Sequence, residues 1–559
     1  MVYPSDYENK TGFDRIRAQV RGKCTTDGGR ALLDGEGFSA SAGEIAHRLS
    51  LCSELQEILM LESGFPLQEY TDIGPVARKI EVACTFLDIE DMIALRAGLG
   101  AVNEITVFLA AKEEGRYPVL RGLAQGVESF PEITGHIDTI LDRYGKIKDS
   151  ASPELYTIRR TIRDREGQVS KRLQAILSKA QKDGYADADA AVSIRDGRAV
   201  IPVSAANKRK INGFIHDESA TGKTFYIEPV EIVEINNELK ELEYAERREV
   251  VRILTAFTDR IRPDAPGIAR AGEYLACMDM IRAKARWAAE NECVKPVLSE
   301  EGTLWLRSAR HPLLRQTLAR EGKQVVPLDL KLDRGRRMLV ISGPNAGGKS
   351  VCLKTVGLLQ YMFQCGFPVP VLENSEFPVF DGIFIDIGDE QSIDNDLSTY
   401  SSHLLNMKHM LAGAGSGSLV LIDEFGSGTE PVIGGAIAEA ILERFVETGT
   451  YGVITTHYSN IKYFAGSHEG VENGAMMFDV QNIRPLFRLQ MGEPGSSFAV
   501  EIARKIGLPA QIIDAASRKA GSDHINLEKQ LRDIARDRRY WEQKRDRIRI
   551  TDRKVEELE

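Results

Sequence analysis

Five strand-forming residues, Met338-Leu339-Val340-Ile341-Ser342, run into Gly343-Pro344-Asn345-Ala346-Gly347-Gly348-Lys349-Ser350. An apolar-periodic segment through Leu353, Val356, Leu358 and Leu359 follows. The eight residues fit GxxxxGK followed by Ser or Thr, with a strand before and a helix after, and that context gives the match its meaning. Glycines let backbone N–H groups approach phosphates, and the helix N-terminus adds positive potential. Gly343, Pro344, Asn345, Ala346, Gly347, Gly348, Lys349, Ser350 and Val351 are the expected ATP-binding residues. Lys349 is expected at the β- and γ-phosphates, and Ser350 as a Mg²⁺ ligand through its hydroxyl. Gly222-Lys223-Thr224 ends a similar string, but Asp217 stands where the first Gly belongs and Thr224 opens a β-like run. That string reads as a turn.

A second buried-strand pattern, Leu419-Val420-Leu421-Ile422, delivers Asp423 and Glu424 at its end. Asp423 is expected in the Mg²⁺ shell, and Glu424 as the group that orients or deprotonates the attacking water. Val453-Ile454-Thr455-Thr456-His457 is a third strand with a polar end, and His457 is placed to sense the γ-phosphate. Together these residues predict an ATPase. The alternative readings are an acidic turn at Asp423-Glu424 and a structural histidine at His457.

The rest of the chain is organised differently. At 559 residues it exceeds one hydrophobic core. No apolar run approaches the roughly 18 residues of a membrane span, and no secretory signal opens the chain. The seven cysteines are scattered and form no CxxC pair, which argues for reduced thiols in a cytoplasm and against a zinc site. Net charge is -10, so any nucleic-acid contact must come from a local basic patch.

Residues 1 to about 150 read as helical, with breaks such as Gly64-Phe65-Pro66. Two long helices are expected, about Glu154–Ala180 and Ile232–Ile261, each extending roughly 40 Å. Between them lie short β-rich runs: Ala191 to Arg195, Ala199 to Val203, Ile211 to Ile215 and Thr224 to Ile227. The pattern suggests an arm with a small sheet at its tip, or a β-hairpin insertion with no ligand. From about Gly302 to Gly521 strands and helices alternate, as in a doubly wound α/β domain. Beyond Asp523, Leu527, Ile534, Trp541, Ile548 and Val555 recur every seven residues. With only one apolar position per heptad, this is a weak coiled coil or a solvated helix.

The motifs together resemble the MutS branch of ABC-type ATPases. They are Arg310-His311-Pro312-Leu313, the Gly343–Ser350 loop, Ser398-Thr399-Tyr400, Asp423 through Thr429, Thr455-Thr456-His457-Tyr458, and Gly495 through Pro509. Ile194 through Arg198, Val200 through Val203, His216 through Ser219, Glu228-Pro229 and Asn236 through Leu239 are similar to the second bacterial subfamily, whose members usually end in an Smr nuclease domain. The resemblance covers about residues 10 to 520. It implies a multidomain α and α/β architecture, with a helical core over 1–150, an outgoing lever helix over 151–183 and a β-rich clamp over 184–230. A returning lever helix and core follow over 231–300, then an ABC-type P-loop ATPase domain over 301–521 and a charged helix over 522–559. It also implies a homodimer in which Ser398 and Thr399 face the partner's γ-phosphate; alone, they read as an N-cap. No Phe-x-Glu wedge domain fits ahead of residue 10, so mismatch reading is not implied. The chain stops inside the charged helix with no recognisable Smr domain, as a fragment or as a member that lacks one, and nuclease activity is not expected of it.

The β-rich region carries Arg195, Arg198, Lys208, Arg209, Lys210 and Lys223, the best local candidates for phosphate contact. No aromatic-rich platform for stacking single strands stands out in the sequence. The functions to separate are an ATP-driven clamp on structured nucleic acid such as branched DNA, acting in control of recombination, and a ribosome-associated ATPase that senses or splits stalled ribosomes through ribosomal RNA. A structural-maintenance-type ATPase needs a very long coil between its ATP motifs. None lies between Lys349 and Asp423 here, and Ser398-Thr399 replaces the LSGGQ-type signature.

Overall fold

The computed structural model describes every residue except 67, 196, 345–346, 389–398, 480, 497, 517 and 520–559. The heptad-like tail therefore lies outside the described residues. The chain divides into two compact units. One comprises Met1–Phe65, Lys112–Leu123 and Cys277–Glu559, and the other Pro66–Ala111 and Ala124–Ala276.

The first unit is built on a seven-stranded sheet. Its order is Val2–Tyr3, Gly382–Asp386, Ser418–Ile422, Tyr451–Thr455, Arg336–Ser342, Gly470–Asp479 and Arg484–Met491. All neighbouring pairs are parallel except the last, which is antiparallel. Gly382–Asp386, Ser418–Ile422 and Tyr451–Thr455 are buried along their whole length. This explains their near-continuous apolar sequence, since a parallel strand covered on both faces has no polar side. One core cluster gathers Val340, Val420, Ile422 and Ile454 from the sheet with Leu442, Phe445, Ile461 and Phe464 from covering helices. The N-terminal stretch, read as helical, begins instead with the short strand Val2–Tyr3, paired parallel to Ile383 and Phe384. Two residues carry too little periodicity to announce a strand.

In the second unit, helix Pro153–Lys182 of 30 residues leads out and helix Val230–Ile261 of 32 residues leads back. Each is therefore about 45–48 Å long. Ser152 caps the first helix by accepting from the Leu155 N–H, and its hydroxyl donates to Glu249 of the second. Arg159–Glu246 and Arg165–Glu238 ion pairs, at 2.7 and 3.1 Å, join the two helices further along. Between the helices lies an antiparallel four-stranded sheet in the order Ser193–Arg195, Arg198–Ser204, Thr224–Pro229, Gly213–Glu218. Val169, Leu173 and Leu177 of the outgoing helix and Ile232 and Ile235 of the returning one bury Ile201, Val203 and Ile227 of this sheet.

Helix Ile89–Ala110 qualifies by length and composition for a membrane span, although Arg96 and Glu104 interrupt its apolar run. Met92, Leu95, Leu99, Val102, Ile105 and Leu109 are buried at helical spacing, and helix Pro131–Ile140 packs against it. It is a core helix of the second unit.

Candidate functional site

The loop after Arg336–Ser342 enters helix Lys349–Gln364 through Gly348, whose φ is +90°. A Cβ there would also stand 3.1 Å from the Phe487 ring, so both backbone and space call for glycine. Lys349 is 4% exposed, and its ammonium donates to the carbonyls of Gly343 and Pro344 at 2.9 and 3.1 Å. Burial pulls its pKa below the ordinary lysine value, partly opposed by Asp423 and Glu424. Ser350 and Val351 are exposed on the first turn of the helix. Gly343, Pro344 and Gly347 are buried, and Asn345 and Ala346 lie outside the described residues.

Asp423 and Glu424 follow the buried strand Ser418–Ile422 directly. The Asp423 N–H donates to the Asp386 carbonyl at 2.9 Å, which extends the pairing with Gly382–Asp386 by one step. Thr455, at the end of the adjacent strand, serves both acidic residues. Its hydroxyl donates to Asp423 Oδ1 at 2.5 Å and accepts from the Glu424 N–H at 2.8 Å. Glu424 has φ +48°, a left-handed backbone that costs a non-glycine residue about 1–2 kcal/mol. The Phe425 N–H bond to the Thr455 carbonyl, 2.8 Å, and the Ser427 N–H bond to the Glu424 carbonyl, 3.0 Å, hold the turn. Glu424 is thus exposed at a fixed place.

His457 stands exposed after Tyr451–Thr455. Partial burial lowers its pKa, with Lys349 and Lys462 adding to the effect and Asp423 opposing it. The structure therefore brings Lys349, Asp423, Glu424 and His457 into mutual electrostatic reach where three neighbouring parallel strands end. That is where open α/β sheets bind ligands. Thr399 opens helix Thr399–Gly413; Ser398 lies outside the described residues.

Sequence reasoning missed the support around these residues. Asp386, 3% exposed, ends the strand beside Asp423 and is held by His403 at 2.6 Å and Asn406 at 2.9 Å. Asp386, His403, Asp423 and Glu424 line one cleft. An acidic residue closing the apolar run Ile383-Phe384-Ile385 was the available signal. On the far side of the loop, the Gly495 N–H donates to Ser342 Oγ at 2.7 Å and its carbonyl accepts from Lys462 at 3.0 Å.

In the β-rich region the six basic candidates divide. Arg198 donates to both oxygens of Glu228, which is 1% exposed, and to Asn237 Oδ1. His216 at 2.6 Å and Asn236 at 2.7 Å complete the surroundings of Glu228. Burial pushes the Glu228 carboxyl up, and the bonds from Asn236, His216 and Arg198 outweigh this and hold it below its ordinary value. Arg198 is thereby committed to bracing the sheet. Arg195 pairs with Asp217 at 3.0 Å and lies over the Tyr226 ring, while Lys208 lies over Phe225. Rings that the sequence did not present as a platform therefore sit beneath two of the charges, and Phe214 is 59% exposed nearby on the adjoining strand. Lys208, Arg209, Lys210 and Lys223 are exposed. Thr224 opens a strand, and the turn before it closes through the Gly222 N–H bond to the Ser219 carbonyl, 2.7 Å.

A family model for MutS domain V matches residues 339–522. The chain is 37% identical over 549 residues to Endonuclease MutS2 of Alkaliphilus metalliredigens, covering 98% of this chain and 68% of that protein. It is 38% identical to Endonuclease MutS2 of Pelotomaculum thermopropionicum, covering 89% of this chain and 62% of the relative. For Endonuclease MutS2 of Thermomicrobium roseum the identity is 37%, over 94% of this chain and 66% of the relative. The chain thus spans 62 to 68% of the length of these relatives.

Proposed function

Because this chain belongs to the MutS family of ATPases, and within it to the MutS2 subfamily, we propose that it is an ATP-hydrolysing dimeric clamp on structured nucleic acid, branched DNA in the first place. The observation that carries the reading is the meeting of Lys349, Asp423, Glu424 and His457 at adjacent strand ends. In this reading the 343–351 segment belongs to an ABC-type ATPase domain and cradles the ATP phosphates. Lys349 turns from the Gly343 and Pro344 carbonyls toward the β- and γ-phosphates. The Ser350 hydroxyl and the Asp423 carboxylate form an oxygen donor set of the kind that suits Mg²⁺. The metal would neutralise developing phosphate charge. Glu424, exposed and held by its backbone, orients and deprotonates the attacking water, and His457 contacts the γ-phosphate.

Ser398 and Thr399 act on the nucleotide of a second copy. Val432 and Ile433, 76% and 59% exposed at the start of helix Pro431–Glu447, offer apolar surface for that copy. The β-rich region meets the nucleic-acid backbone through Lys208, Arg209, Lys210 and Lys223, with Arg195 beside them and Arg198 as a brace. The endonuclease in the relatives' names belongs to proteins of which this chain matches about two thirds, and no nuclease step enters this reading. The reduced cysteines, all seven free, fit a cytoplasmic protein.

Affinity for branched DNA, measured beside co-sedimentation with ribosomes, tests the target. Tight, ATP-modulated binding to branched DNA without ribosome association is expected. Ribosome association alone would transfer the clamp to ribosomal RNA and to the sensing or splitting of stalled ribosomes.

A further inference from the structure

The first helices of the chain are fastened to the helix that follows the phosphate loop. Tyr7 Oη donates to the Gly357 carbonyl at 3.0 Å, Tyr361 Oη donates to Glu8 at 2.8 Å, and Arg17 pairs with Glu8 at 2.7 Å. The rings of Tyr7 and Tyr361 stack with centroids 4.8 Å apart. Beside this junction is a cavity of about 300 Å³, whose lining includes Lys10, Gly12, Asp14, Arg15, His311 and Lys354. It lies outside the residues assigned to nucleotide.

Four segments contribute cations or donors to this cavity. Lys10 and Arg15 come from helices Tyr7–Thr11 and Phe13–Arg21, and Lys354 from helix Lys349–Gln364. Among the described residues neither Arg15 nor Lys354 forms an ion pair. Lys10 has a partner of its own, and Asp14 is the one acidic residue of the lining. His311 caps helix Pro312–Arg320, with Nδ1 3.5 Å from the Leu314 N–H. With Nδ1 as the acceptor there, the proton of the neutral ring is assigned to Nε2. Burial, then the charges of Lys354 and Arg15, push the His311 pKa down to about 4, so the ring stays a neutral donor near pH 7. Like charges without partners around one cavity repel, and an anion that accepts from several sides relieves the repulsion.

We propose that this cavity is a second phosphate site, separate from the 343–350 loop. It takes a phosphate or diphosphate group through Arg15, Lys354 and the His311 Nε2–H, with Lys10 adding positive potential. Apart from the capping imidazole its lining has no aromatic ring, so the fit is to the phosphate moiety and not to a base. Lys354 lies four positions beyond Ser350 on the same helix. An anion held there ties the first helices to the helix that follows the ATP loop.

The test is a calorimetric titration of the full chain with diphosphate, in wild type and in a Lys349→Ala background that disables the 343–350 loop. Binding is expected to persist in Lys349→Ala and to weaken at least tenfold when Arg15→Gln and Lys354→Gln are added. Arg15→Gln alone, at an exposed position, is expected to weaken binding several-fold, and melting curves of each variant confirm that it folds. Loss of all diphosphate binding in Lys349→Ala, or equal affinity with and without the two glutamines, overturns the proposal. Failure of the ATPase reading would leave the Lys349→Ala result untouched, so the two are distinguishable. A short duplex then identifies the source. Competition with diphosphate that is lost in the Arg15→Gln Lys354→Gln variant assigns the site to a nucleic-acid backbone, and no competition assigns it to the free anion.

Discussion

Every residue of strand Ser418–Ile422 is buried, whereas five of the six in Gly213–Glu218 are exposed. The first runs between two parallel neighbours; the second has one neighbour and is an edge. In the α/β unit, core packing on both faces fixes where the strand ends, and Asp423 and Glu424 emerge at a determined point. In the β-rich region, the basic side chains stand on turns and exposed strands, and their placement depends on pairs such as Arg195–Asp217 and Lys208 over Phe225. Chemistry that needs fixed distances belongs on the first kind of scaffold, and backbone gripping by charge can use the second.

The sharpest way to break this comparison is at the α/β site. Lys349→Ala is expected to abolish ATP binding, while Glu424→Gln keeps ATP and loses turnover by about 100-fold or more. Equilibrium nucleotide binding and steady-state hydrolysis separate the two, and normal turnover by Glu424→Gln would remove Glu424 from water activation.

The next largest effect is expected at the one deeply anchored charge of the β-rich region. Arg198→Ala leaves Glu228 buried without its guanidinium and should cost about 3 kcal/mol locally. Hydrogen exchange of Arg198–Ser204 and Thr224–Pro229 reads it. Unchanged protection would mean that His216 and Asn236 suffice for Glu228.

A comparable effect comes from pH. The unfolded chain takes up a proton at His311 as pH falls through about 6.5. The folded chain resists until about 4. The stability associated with neutral His311 is therefore complete above about pH 6.5 and lost as pH falls toward 4, by about 3 kcal/mol. Unfolding free energies across that range should fall less steeply in His311→Asn. Parallel curves for the two proteins would show that His311 titrates freely in the fold.

The smallest stability effect is expected where the charges are exposed. Lys208→Ala, Arg209→Ala and Lys210→Ala together should change stability by no more than about 0.5 kcal/mol. The same triple variant should flatten the salt dependence of nucleic-acid binding by up to about three phosphate contacts, similarly across sequences. Affinity against salt on branched DNA and on ribosomes checks this. An unchanged slope on both would make the patch a solvated face and erase its side of the comparison.

The sequence by itself determined the elements that rest on local pattern. The strand into Ser342, the helix from Lys349, the strand ending at Ile422, the two long helices and the four short β runs were all legible, with ends moved by a few residues. Each has a periodicity or a turn signal within a dozen positions. The candidate phosphate loop and its acidic partners were legible for the same reason, because each sits directly after a patterned strand. Only the tertiary structure decided the long-range matters. It added Val2–Tyr3 to the sheet, where Tyr3 Oη bonds Asn406 across 403 positions. It set His403 and Asn406 on Asp386 beside Asp423, and it committed Arg198 to a carboxylate 30 residues away, apart from the charges it resembled in sequence. A side chain's type states what bonds it can make, but which partner it meets is fixed by packing between segments far apart in the chain, and no local period records that.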